Sequence, residues 1–91
     1  EGFILDVLKP HRPSIIDMSR KLTALKGVDG VNCTLVEVDQ ETESVRITIE
    51  GSGIDFERVE QTLRENGAVI HSVDSVSVGK RLVEDIRTGT H

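Results

Sequence analysis

Apolar residues along this chain recur with a period of about two, then about 3.6, then two again, and the whole cycle occurs twice. Strands alternate their side chains, whereas helices return to one face every third or fourth residue. The order therefore reads strand, helix, strand, then strand, helix, strand. Few architectures fit that order into 91 residues. The prediction is an α+β, ferredoxin-like βαββαβ sandwich: a four-stranded antiparallel sheet in the order 4-1-3-2, with two helices on one face. Residues 1–91 are expected to form a single such domain, with residues 80–91 as a C-terminal extension. This fold hosts many unrelated functions, so it constrains geometry rather than activity.

The first strand is expected over Phe3–Leu8 and ends before Pro10 and Pro13, which exclude a helix there. Ser14, three residues ahead of Asp17, then caps a helix whose core stripe is Ile15, Met18, Leu22 and Leu25. Gly27 suits the left-handed residue after a helix. A second strand region covers Val28–Val38, and Asp39–Thr42 is a polar hairpin tip. Val45, Ile47 and Ile49 alternate with Arg46, Thr48 and Glu50, the pattern of a half-buried strand. After the break at Gly51–Gly53, Asp55 is the cap of a second helix with stripe Phe56, Val59 and Leu63. Ile54 and Val59 are spaced for a hydrophobic staple. Asn66–Gly67 ends that helix, and Ala68–Val78 is the fourth strand. The tail carries Leu82, Val83 and Ile86, too apolar for a random end, and is expected to pack on its own domain or on a neighbour.

With two Phe and no Tyr or Trp, the core must come from Val, Ile and Leu. A formal net charge of −5 argues against nucleic acid as a partner. RNA binding by this topology stacks bases on aromatic residues of the central strands, and the expected open face has none. No apolar run approaches the roughly 20 residues that span a bilayer, so no membrane partner is expected. Cys33 is the only cysteine, which excludes an intrachain disulfide and suits a reducing compartment; the expected location is the cytoplasm. Cys33 itself reads as a buried small hydrophobe.

The segments Leu5–His11, Gly27–Asn32 and Ile70–Asp74 resemble the archaeal domain-of-unknown-function family 211. The likeness extends over nearly the whole chain. It implies a ferredoxin-like fold and self-association, with rings as one form. It implies no activity, and no catalytic residue is carried over from it.

Three places are candidates for chemistry. If Phe3, Leu5 and Val7 face the helices, then Ile4, Asp6 and Leu8 lie on the bare face, beside Arg46, Thr48 and Glu50. His71 and Val73 join them from the fourth strand if Ile70 points inward. Asp6 and Arg46 then stand about 5 Å apart across strands and could pair. Such a face is wet, covered by a second subunit, or holds a small ligand. The second place is the hairpin, where Glu37, Asp39, Glu41 and Glu43 recur every second residue. Divalent calcium or magnesium prefers carboxylate oxygens. A weak cation site at Asp39, Glu41 and Glu43, shared between subunits, stands against the ordinary reading of a solvated tip; Asp29 could join it. The third place is the loop Lys9–Pro13, where His11 and Arg12 precede a helix N-terminus and could receive an anion. Prolines stand where acylphosphatases of this topology have glycines. A C-x-x-C pair in the first loop, the signature of heavy-metal carriers with this topology, is missing. No cofactor is firmly implied. The expectation is a homo-oligomeric binding or regulatory module; the alternative is a small enzyme using the open face or the His11–Arg12 loop.

Overall fold

The computed structural model describes residues 1–81 and residue 83. Its elements run β1 (Gly2–Pro10), α1 (Ile15–Thr23), β2 (Val28–Val38), β3 (Thr42–Gly51), α2 (Phe56–Glu65) and β4 (Val69–Ser77). All neighbouring strands are antiparallel, in the order β2-β3-β1-β4. That is the expected 4-1-3-2 order read from the opposite edge.

The helices start where capping chemistry allows. The Ser14 hydroxyl accepts the Asp17 N–H at 3.1 Å, and the Asp55 carboxylate accepts the Glu57 N–H at 3.0 Å. Ile54 and Val59, flanking the second cap, both enter the core. Gly27 follows α1 with φ 88, and a Cβ there would stand 2.6 Å from the Ser52 carbonyl oxygen. Gly51 is its counterpart, since a side chain on it would overlap the Gly27 carbonyl. Two chain segments thus touch backbone to backbone, which only glycine permits.

The core lies between the helices and one sheet face. β1 contributes Phe3, Leu5 and Val7, and β3 contributes Val45, Ile47 and Ile49. Met18 and Leu22 of α1 and Val59 and Leu63 of α2 meet them. Phe3 and Phe56 add a tilted ring pair at 5.1 Å. β1 is longer than its apolar run: Lys9 continues the alternation and is buried, and the strand ends at Pro10.

β4 corrects one expectation. Its pairing with β1 shifts between Ile4 and Leu5 and again between Asp6 and Val7. His71 and Asp74 are left out of register, and Val73 stands opposite Leu5, on the helix side rather than the bare face. In the tail, the Ser77 hydroxyl donates to the Val83 carbonyl at 2.9 Å, while the Val83 side chain is exposed. Leu82 and Ile86, on which the packing expectation for the tail also rested, lie outside the described residues. Among the described residues no helix is long and apolar enough to cross a membrane.

The two faces of β3 predict opposite costs at adjacent positions. Ile47→Ala should destabilise by about 2–5 kcal/mol in urea unfolding, because it empties a closed core. Thr48→Ala should cost about 1 kcal/mol or less. Similar losses at the two positions would contradict the one-sided core.

Candidate functional site

The register builds a polar row across the open face. Thr34 of β2 opposes Arg46 of β3, Arg46 opposes Asp6 of β1, and Asp6 opposes Ser72 of β4. Each residue owes its place to strand alternation. Asp6 and Arg46 are directly opposed, as their positions in sequence suggest, yet they form no ion pair. The ion pairs among the described residues are Lys9–Glu43 and His11–Glu43. The flanking hydroxyls are turned within their own strands. Thr34 donates to the Asn32 side-chain carbonyl at 2.7 Å and Ser72 to the Asp74 carboxylate at 2.7 Å.

Two shallow cavities indent this face at opposite corners. One, of about 280 Å³, is lined by Asp6, Leu8, Ser44 and His71, with Val7 backing it. The other, of about 350 Å³, is lined by Asp29, Gly30, Val31, Asn32, Thr48 and Glu50. His71 lines the same cavity as Asp6, on the open face where alternation from the inward-facing Ile70 puts it, although the shift in β4 sets Ser72 rather than His71 directly opposite Asp6.

A tighter constellation sits at the rim, on the helix side, where β1 ends beside the β2–β3 hairpin. Lys9 stands opposite Glu43 in the β1–β3 register. Its ammonium, fully buried, donates to Glu43 Oε1 at 2.8 Å and to the Pro10 carbonyl at 2.8 Å. The other carboxylate oxygen of Glu43 faces His11 Nδ1 at 3.0 Å, and His11 Nε2 lies 3.0 Å from the Gln40 carbonyl. The Lys9 contact, then the His11 contact, hold the Glu43 carboxyl below its ordinary range. The Glu43 carboxylate, then the Gln40 carbonyl, raise His11 above the ordinary histidine range. Sequence reading placed Lys9 in a loop. The signal that would have found it is the continuation of Phe3, Leu5, Val7 by one more alternate position.

The remaining candidates are less assembled. Val36 is left out of register in β2, so Glu37 opposes Ser44 on the open face while Glu43 opposes Lys9 on the helix side. The period-two acids of the hairpin are thus divided between two faces. Asp39 and Glu41 are exposed, and Glu43 is turned away to Lys9 and His11. Among the described residues no group of three or more His, Cys, Asp or Glu side chains is arranged to hold a metal ion. At the third candidate place both His11 nitrogens face acceptors, and Arg12 is exposed and forms no ion pair among the described residues. Cys33 opposes Ile47 and is half-buried against the core, where burial pushes its thiol up.

The buried ammonium makes the Lys9–Glu43 pair asymmetric. Glu43→Ala strands a charge in the core and should cost about 2 kcal/mol. Lys9→Met in the same chain should recover part of that loss, and additive single costs in a double-mutant cycle would contradict the coupling. Acid should act through the same carboxylate. Because Glu43 titrates below its unfolded value of about 4.5, its contribution is complete above that pH and is lost as pH falls through the lowered value. Urea midpoints should therefore drop less on acidification for Glu43→Gln than for the wild type.

Comparison with known proteins adds a family. The family model described as uncharacterized ArCR, a domain-of-unknown-function family numbered 211, matches residues 2–91. The uncharacterized protein MJ0319 of Methanocaldococcus jannaschii is 49% identical over 85 residues, which is 93% of this chain and 88% of that protein.

Proposed function

The chain belongs to the domain-of-unknown-function family 211, and from that starting point we propose that it works as a small self-associating module that senses a polar ligand at its subunit boundaries. The observation that carries this reading is the state of the two outer strands. Among the described residues β2 is bonded only to β3 and β4 only to β1, so each presents one edge that no described strand covers. Natural sheets blunt such edges with charges, prolines or short strands, because open edges template pairing with another chain. Here β2 runs for 11 residues, and the stretch Gly30–Leu35 pairs with β3 without interruption. Leu35, Val36 and Val38 are exposed beside it, and β4 exposes Val69, Val73 and Val76. Surface apolar groups clustered along open edges favour burial against a second copy.

Two closures fit this geometry. β2 against β2 makes a two-fold dimer, whereas β2 of one copy against β4 of the next runs head to tail and closes into a ring when the rotation permits. In the head-to-tail ring the cavity at His71, beside β4, lies close to the neighbouring subunit, whereas in the two-fold dimer it lies at the far edge of the sheet. A polar small molecule would meet a carboxylate, a guanidinium and an imidazole there. The exposed acids Asp39 and Glu41 lie at the hairpin end, where a divalent cation would need further oxygen ligands from a second copy.

Sedimentation or light scattering tests the reading. The wild-type chain should run as an oligomer, and Val36→Lys with Val38→Lys should shift it to smaller species while leaving circular dichroism unchanged. A wild-type chain that remains monomeric up to its solubility limit would falsify self-association.

A further inference from the structure

His11 stands one residue beyond β1, with its ring between two acceptors. Nδ1 is 3.0 Å from Glu43 Oε2, and Nε2 is 3.0 Å from the Gln40 carbonyl oxygen. A neutral imidazole carries one N–H and can satisfy only one of them, whereas the imidazolium donates to both. Gln40 lies in the turn between β2 and β3 and Glu43 at the start of β3, so the ring ties that turn to the loop leading into α1. The other contact across the turn is the Asp39 N–H donating to the Thr42 carbonyl at 2.8 Å.

The anchor of this arrangement is fixed. Lys9 is buried and holds the first oxygen of Glu43 at 2.8 Å, which leaves the second oxygen aimed at His11. The His11 ring is the exposed, titratable half of the contact. The charged groups bearing on it are Glu43 from β3 and Lys9 from β1, and the hairpin adds only the Gln40 carbonyl. Arg12 adjoins His11 in the chain, and Asp39 and Glu41 adjoin Gln40, but none of the three forms an ion pair among the described residues.

We propose that His11 is a proton-operated latch: protonated, it fastens the tip of the β2–β3 hairpin to the loop after β1, and on losing its proton it releases the tip while Lys9 keeps Glu43 in place. The direction of titration agrees, since the carboxylate and the carbonyl both favour the charged ring. A group raised in the folded state stabilises fully below its unfolded value, about 6.5, and loses that contribution as pH rises through its folded value. The latch is therefore closed at and below the ordinary histidine range and opens as pH rises through the raised His11 value. It stands whether or not the chain self-associates, because both of its halves belong to one copy.

An NMR titration of the full chain tests it. The His11 ring should titrate above a histidine of the urea-unfolded chain. The backbone amides of Asp39, Gln40, Glu41 and Thr42 should shift with the same midpoint. Their hydrogen exchange should accelerate across that transition by more than the base-catalysed rise of the unfolded chain. In His11→Ala the hairpin amides should lose this titration, and in Glu43→Gln the His11 midpoint should fall. Should Glu43→Gln not fold, the wild type and His11→Ala still decide the matter. A His11 midpoint at or below the unfolded value, or hairpin amides that titrate unchanged in His11→Ala, would overturn the latch.

Discussion

The unbroken register between β1 and β3, from Gly2 opposite Glu50 to Pro10 opposite Thr42, is the constraint on which the rest of the molecule depends. Opposed residues in an antiparallel pair share a face, so this one ladder assigns both central strands at once. Phe3, Leu5, Val7, Val45, Ile47 and Ile49 fall to the side that both helices cover. Ile4, Asp6, Leu8, Arg46 and Thr48 fall to the other. A slip of one residue would exchange the two sets and bury Asp6 with Arg46 while exposing the core. The cost of that exchange explains why the central pair carries no irregularity and the outer strands carry them all.

The outer strands are where the fold relaxes. Each has two shifts of register, leaving Asp29 and Val36 unmatched in β2, and His71 and Asp74 unmatched in β4. Extra residues of this kind twist and interrupt an edge, and they also re-aim side chains. In β4 the effect is to put Ser72 in place of His71 opposite Asp6 and to turn Val73 toward the helix side. In β2 it is to separate Glu37 from Glu43. The two outer edges, uncovered among the described residues and flanked by exposed valines, are the features a second copy could cover.

Much of the architecture was legible because it rests on local periodicity. The alternation of Val45, Ile47 and Ile49, the stripes of Met18 with Leu22 and Val59 with Leu63, and the caps at Ser14 and Asp55 each carry their own signal. The direct opposition of Asp6 and Arg46 followed from alternation and strand order together. Features that depend on a partner strand were not legible. Lys9 looked like a loop cation because a buried lysine breaks the apolar pattern, and only its position opposite Glu43 makes burial tolerable. Glu43 was indistinguishable from Asp39 and Glu41 because their spacing is uniform, while only Glu43 lies within β3, opposite Lys9, and the other two lie in the turn. His11 was read as a group awaiting an anion, while the hairpin that occupies both its nitrogens is 29 and 32 residues away in the chain.

The claim that only one side of the sheet is roofed by the chain's own helices can be tested by methyl-to-methyl nuclear Overhauser contacts, which do not depend on whether copies assemble. Methyl groups of Met18, Leu22, Val59 and Leu63 should show contacts to Val7, Val45, Ile47 and Ile49, and none to Ile4, Leu8 or Thr48 within one chain. Intrachain contacts from either helix to Ile4, Leu8 or Thr48 would contradict the account at its root.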